Sequence, residues 1–493
     1  MRHAAIATSF VSLVTAGLLA GCPDRSISEV DPQQGRVEAK DIPVNVNRDV
    51  DILFLIDDSP SMADKQANLA TNFPKFIDVL STIQGGLPNV HIAVVTSDMG
   101  SKGADDPAPA QGIGTIGSGG CSGLGKAGNM QLFGAPVAGG QYLSDIRVEP
   151  SGVRQGNYTG TLNDAFAKMA KAGAGGCGFE QHLEAVKQAL QPTNVMNQGF
   201  LRPDAFLAVV FIADEDDCSM SHANMLAPEN STLGPQQSFR CTRFGIVCDD
   251  GGTTSAAMNV PGVKTKCHPN DASPYLTKVD DYVKFLKGLK SDPKKVIVAG
   301  IMGKPDTFEV EMRAPPKSTT KIPALAHSCT YNGATGVEVA DPPIRLKFFL
   351  DQFPNRSTFS QICQQDLSGG LQQIGDLLKT VIGDPCIEGK LADVDQQAAG
   401  KQYDCSVSSV TDPGTAMQKE NIMPRCTPED STATNQPCWH LVSDPAACPC
   451  SVPEQGGVCA TNAEHYTLKI EGKDSLAKDT HVIANCVTEV TNN

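Results

Sequence analysis

The stretch that most constrains this chain is Asp51-Ile52-Leu53-Phe54-Leu55-Ile56-Asp57-Asp58-Ser59-Pro60-Ser61-Met62. Its apolar run has no helical period and is long enough for one strand buried on both faces. It stops abruptly at acids and hydroxyls. In open α/β sheets, ligands bind outside the carboxyl ends of the strands. A loop there of the form Asp-x-Ser-x-Ser projects one carboxylate, Asp57, and two hydroxyls, Ser59 and Ser61, toward a single point. Hard oxygen donors of this kind suit Mg²⁺, Ca²⁺ or Mn²⁺ rather than zinc. A second run, Ala205 to Ala213, is the strongest strand signal in the chain and ends at Asp214-Glu215-Asp216-Asp217. Clustered carboxylates repel one another, so a cation is expected near this second strand end as well.

The Asp57, Ser59, Ser61 pattern at the end of a buried strand resembles the metal-ion-dependent adhesion site of von Willebrand factor A domains. The resemblance covers residues 49–385 and implies a Rossmann-like α/β fold, a mostly parallel sheet with helices on both faces. It implies that Asp57, Ser59 and Ser61 hold a divalent cation and that Asp214 contacts it directly or through water. A carboxylate from a partner would complete the shell. The family's Gly-Gly-Thr turn supplies another hydroxyl; here the turn reads Gly175-Gly176-Cys177-Gly178. A thiol is a poor ligand for a hard cation, so Cys177 is expected in a disulfide that pins the loop. Glu180 is a further candidate oxygen donor, set against the plainer reading of an exposed helix glutamate.

Residues 1–22 begin with a positive Arg2 and continue with an apolar run from Ala4 to Ala20, too short for a convincing membrane span. They close on Leu19-Ala20-Gly21-Cys22, which resembles the bacterial lipoprotein signal. That resemblance implies lipidation of Cys22 and a mature protein anchored in the cell envelope, at the outer membrane or the periplasmic face, rather than spanning a bilayer. A net charge of −15 argues against nucleic acid, whose phosphates need a basic face. There are 17 cysteines, and setting Cys22 aside leaves an even number for an oxidising compartment. Those from Cys121 to Cys363 and those from Cys386 to Cys486 can each close their own disulfides; the connectivity stays open. Cys448-Pro449-Cys450 lacks the paired spacing of a structural zinc site.

The chain therefore divides into the signal 1–22, a polar tether 23–48, the α/β domain 49–385 with long insertions, and a small cysteine-rich β module 386–493. Within the α/β domain, strands are expected at 51–57, 90–96, 205–213 and 296–301. Helices are expected at 63–84, 160–172, 179–190, 275–290 and 365–381. Pro74 should kink or divide the first helix. Residues 99–155 and 218–273 read as insertions, the first with an edge strand near 142–148, the second stapled by disulfides. Residues 303–340 read as a long loop, and Phe348-Phe349-Leu350 as helix or last strand. In the tail, Tyr466–Ile470 alternates like a half-buried strand, and Trp439 reads as core.

The glycine-rich stretch from Gly112 to Gly125 has no lysine and no phosphate-cradle spacing. No nucleophile elbow or HExxH is present, and no GxGxxG follows a strand; His182, near the site, reads as structural. The expected function is therefore not enzymatic. It is divalent-cation-dependent binding of a protein or other extracellular ligand by a lipid-anchored protein. A structural envelope scaffold with an empty or purely structural site is the alternative, and an envelope enzyme the weaker one.

Overall fold

The computed structural model describes residues 36–43, 49–83, 86–148, 151–315, 318–333, 336–382, 391–395, 397, 402–411, 418–443, 466–476 and 480–488. The expected signal segment with Cys22 lies outside the described residues, as do Cys386, Cys448, Cys450 and Cys459.

The apolar run at the start of the α/β domain forms β1 (Asp49–Ile56), buried from Val50 to Ile56. Around it, β2 (Asn89–Thr96), β3 (Leu143–Val148), β4 (Val153–Gly156), β5 (Phe206–Ile212), β6 (Val296–Met302) and β7 (Ser357–Gln361) complete a seven-stranded sheet in the order β7-β6-β5-β1-β2-β3-β4. The strands from β7 to β2 run parallel. The β3–β4 hairpin adds an antiparallel edge. A strand covered on both faces must be apolar throughout, and β1, β5 and β6 satisfy this at nearly every position.

Alternation along β1 divides the core in two. Ile52, Phe54 and Ile56 pack with α1 (Ala63–Ser81), α2 (Leu162–Met169) and α6 (Ser368–Ile382). Leu53 and Leu55 pack on the other face with α3 (His182–Leu190), α4 (Val279–Lys287) and α5 (Ile344–Asp351). The first layer centres on four phenylalanines. The Phe54 ring lies 4.8 Å from Phe166 and 5.9 Å from Phe76, and Phe73 stacks on Phe166 at 3.6 Å. The structure is thus mixed α/β, with a mostly parallel sheet and helices on both faces. Among the described residues, no helix is long and apolar enough to cross a membrane.

Several local expectations are corrected. Pro74 does not divide α1, which runs unbroken through it. Burial of Phe73 and Phe76 on either side outweighs the lost backbone bond, whose removal costs about 3 kcal/mol. Residues 303–340 are not a plain loop. They hold strands Glu309–Arg313, Ile322–Leu325, Cys329–Asn332 and Val337–Ala340, too short to show a period. Phe348-Phe349-Leu350 belong to α5, and the polar edge strand β7 carried no apolar signal. The tether reading of 23–48 also changes. Arg36–Pro43 is a strand, paired antiparallel with His481–Thr488, Arg36 opposite Thr488. It lies at the edge of a four-stranded sheet with Cys405–Thr411 and Lys419–Ile422, where proline and charge are tolerated.

The disulfides among the described residues stay within the two halves. Cys121–Cys177, Cys218–Cys241, Cys248–Cys267 and Cys329–Cys363 staple the α/β domain; Cys405–Cys486 and Cys426–Cys438 staple the β module. Trp439 is 3% exposed and its indole donates to the Met423 carbonyl at 3.0 Å, as expected of a core residue.

Replacing Phe54 with Ala removes the ring that joins the sheet to α1 and α2, and should cost about 3–5 kcal/mol. A urea titration that shifts by less than about 1 kcal/mol would show that the layer does not depend on it.

Candidate metal centre

Asp57 follows β1 and Asp214 follows β5, neighbouring parallel strands with Ile56 opposite Ile212. The Asp57 N–H donates to the Ile212 carbonyl at 3.0 Å, so the ladder continues into the loop. The structure therefore brings the two strand-end aspartates together. Asp57 is fully buried and Asp214 is 2% exposed. One oxygen of each is accounted for by the protein. Asp57 Oδ1 accepts the Ser59 N–H at 2.8 Å and the Ser97 hydroxyl at 3.2 Å. Asp214 Oδ2 accepts the Lys65 ammonium at 2.9 Å. The other two, Asp57 Oδ2 and Asp214 Oδ1, are buried without a hydrogen-bond partner. Buried acceptors are rarely left so.

Ser59 and Ser61 hold their hydroxyls 3.0 Å apart in the same loop, Ser59 buried and Ser61 exposed. The loop is fixed by Gln66 in the first turns of α1. Its amide donates to the Asp57 carbonyl at 2.9 Å and to the Gly173 carbonyl at 2.8 Å, and its own oxygen accepts the Gly173 N–H. The neighbouring Gly176 donates its N–H to the Asp58 carbonyl at 2.8 Å. It has to be glycine, because a Cβ there would collide with the Asp58 carboxyl. Cys177 lies in the expected disulfide, with Cys121, so this turn offers no hydroxyl.

Glu180 is not an exposed helix residue. It precedes α3, is 1% exposed, and its Oε1 has no partner. Burial, then the charges of Glu215 and Asp57, push its carboxyl well above the usual range. Burial and then the Asp57 charge likewise raise Asp214 to about 6, against the pull of Lys65 and Ser61. Burial also works against ionised Asp57, but the His182 imidazole and Ser59 outweigh it and hold this carboxyl below its ordinary value. His182, at the start of α3, is fully buried with both ring nitrogens unpartnered, its Nε2 3.9 Å from Asp57 Oδ2. That is too long for a hydrogen bond, so their attraction is one of charge.

The four acids after β5 divide. Asp216 accepts the backbone N–H of Arg345 and Leu346 at the start of α5, and Asp217 takes the Arg345 guanidinium at 3.0 Å. These two are satisfied within the protein, which sets Asp214 and Glu215 apart. Sequence reasoning missed Lys65, Lys126 and Arg345. A signal existed for Lys65: it falls on the helical face of Leu69 and Phe73, where a charge is unexpected.

Donor chemistry decides whether a hard cation fits. The loops offer two aspartates, each with an unpartnered oxygen, and two hydroxyls, all of which suit Mg²⁺ or Ca²⁺. Among the described residues, no group of three or more His, Cys, Asp or Glu side chains is arranged to hold a metal, so serine oxygens are needed in this set. Lys65, 2% exposed and also 3.7 Å from Glu338, already places one positive charge beside Asp214.

No family model matches the chain, and no curated protein matches it. Among solved structures, proximal thread matrix protein 1 from the mussel byssus is similar at 9% identity, over 71% of this chain and 51% of that one, with a TM-score of 0.27. The pilus adhesin RrgA from Streptococcus pneumoniae is similar at 12% identity, over 92% of this chain and 58% of that one, with a TM-score of 0.23. The chain thus spans little more than half the length of either. Superpositions this loose carry no argument about fold or function.

Asp58 gives a pH test. Burial raises its carboxyl to about 7 although Lys126 pairs with it. An acid raised in the folded state contributes stability that is full below its unfolded pKa of 3.8 and is lost as pH rises through about 7. Asp58→Asn has no proton to lose. Urea midpoints should show the variant gaining on the wild type across this window, by up to about 1.4 kcal/mol for each pH unit crossed. A gap that stays constant with pH would show that Asp58 does not titrate there.

Proposed function

We propose that residues 49–385 form a von Willebrand factor A-type domain that binds a protein or other extracellular ligand through a divalent cation. Asp57, Ser59, Ser61 and Asp214 would hold the ion, Mg²⁺ or alternatively Ca²⁺ or Mn²⁺. The observation that carries this reading is the pair of orphaned buried oxygens, Asp57 Oδ2 and Asp214 Oδ1, at adjacent ends of parallel strands. A bound cation would supply positive charge and an open coordination position for a carboxylate of the partner. The chain's own residues do the rest. Gln66 and the Cys121–Cys177 disulfide hold the loops, and the strand ladder fixes the spacing of the two aspartates. Glu180 remains a candidate additional donor, buried and unpartnered nearby. The protein is read as a binding module rather than an enzyme, lipid-anchored at Cys22 on the cell envelope, with no role for nucleic acid.

Two observations favour a second reading. The Lys65 ammonium on Asp214 can stand in for part of the cation's charge, and the turn lacks the hydroxyl that Cys177 replaces. On that basis the protein would be an envelope scaffold whose site is empty or only structural.

Thermal melts and affinity capture separate the two readings. Mg²⁺ should raise the melting temperature of the wild type but not of Asp57→Ala. Lys65→Met, which strips Asp214 of its paired ammonium, should lose about 3–5 kcal/mol without metal and recover part of it with Mg²⁺. Capture from envelope extracts should yield partners that require both Asp57 and Mg²⁺. Identical partners from wild type and Asp57→Ala, each with Mg²⁺ or EDTA, would leave only the scaffold.

A further inference from the structure

Beside the strand edge, the disulfide-stapled insertions enclose a cavity of about 470 Å³. Five acids line it: Glu180, Glu215, Asp216, Asp217 and Asp341. Three of them already have donors. Asp216 and Asp217 are held by Arg345 and the start of α5, and Asp341 takes His327 Nδ1 at 2.7 Å. Glu180 and Glu215 differ. Glu180 is 1% exposed with its Oε1 unpartnered, and Glu215 is half-buried on the same lining, its carboxyl next to that of Glu180. Arg313 is the only basic side chain in the described lining. Its guanidinium is occupied by the Leu325 carbonyl at 2.9 Å, the His327 ring, and Glu311 at 3.3 Å. The described lining therefore presents two carboxyls and no cation to meet them. It also includes Phe239, Pro315 and Leu325, which offer apolar contact.

We propose that this cavity binds an alkylammonium group, a protonated primary amine on a short apolar stem, brought either by a free amine or by a lysine side chain of a partner. An ammonium carries three donors and no acceptor, which matches the oxygens that two neighbouring carboxyls offer. Its methylene stem is the part that packs on Phe239 and Leu325, as lysine stems do on apolar surface elsewhere. The volume lies within the range of small-ligand sites, about 300–1,000 Å³. Binding here requires no metal at Asp57, so the two sites are testable apart.

The test is a calorimetric and thermal-shift titration of the whole chain in EDTA with n-pentylamine and with Nα-acetyl-lysine methylamide. Neutral n-pentanol serves as the control, and Ca²⁺ is titrated separately without chelator. A saturable shift with either amine, absent with pentanol, is expected. The amine that acts identifies the source, small molecule or lysine. Glu180→Gln should weaken it by about tenfold or more, and Leu325→Trp should block it by filling the cavity. Glu180→Gln keeps the side chain's size and is neutral, the form that burial favours at this position, so its melting temperature should not fall; Leu325→Trp keeps the test decisive if it does. No amine response, an equal response to pentanol, or amine affinity untouched by both cavity variants would overturn the proposal. A Ca²⁺ response lost in Glu180→Gln, with no amine response, would assign the pair to a metal instead.

Discussion

Two buried carboxylates at the ends of neighbouring parallel strands set the terms for the rest of this molecule. Asp57 and Asp214 cannot move apart, because the sheet ladder runs on from β1 into the Asp57 N–H. Their charges interact in a low dielectric, where repulsion is several times stronger than in water. The surrounding residues answer that repulsion with Lys65 on Asp214, the His182 ring across from Asp57, and backbone and hydroxyl donors on Asp57 Oδ1. Around them, Lys126 answers Asp58, and Arg345 answers Asp217. What remains without a hydrogen-bond partner includes one oxygen each on Asp57, Asp214, Asp58, Glu180 and Glu338, and both ring nitrogens of His182. The architecture around the edge follows as a means of keeping these groups where they are.

Much of this was legible because the strongest signals in the sequence are also the ones that place the site. β1 and β5 are apolar along nearly their whole length and end in acids, so their burial and the location of Asp57 and Asp214 follow from pattern alone. The helices that cover the sheet show the expected faces, Leu69-Phe73-Phe76-Leu80 in α1 among them. Legibility ended where an element's reason lies elsewhere in the chain. β7 is polar because it needs only an edge and one neighbour, and the hairpin Cys329–Asn332 with Val337–Ala340 is too short to declare a period. Glu180 was misjudged because burial of a lone acid has no local signature: it depends on the cavity that insertions far along the chain enclose. Lys65 was readable in principle as a charge on an apolar face.

The insertions carry more than length. Cys218–Cys241 and Cys248–Cys267 fix segments whose apolar residues gather in two clusters apart from the sheet's own core, one with Met220, Leu226 and Phe244 and one with Phe239, Ile246 and Met258. They begin directly after the acids of β5, so the shape of the approach to the sheet edge is decided by stapled loops. Side chains at that edge are held from below by a rigid sheet and from above by covalent links, the arrangement that keeps binding groups preorganised.

The strand Arg36–Pro43 has a consequence of its own. It pairs with His481–Thr488, so the β module is incomplete without residues that precede the entire α/β domain in the chain. A ribosome delivers the earlier strand first and its partner only after everything between them has been synthesised. The early strand can pair in this ladder only once the far end of the chain is free to reach it. Deleting either segment therefore removes one side of the same pairing, and the strand that emerges second acts as the clasp for the first.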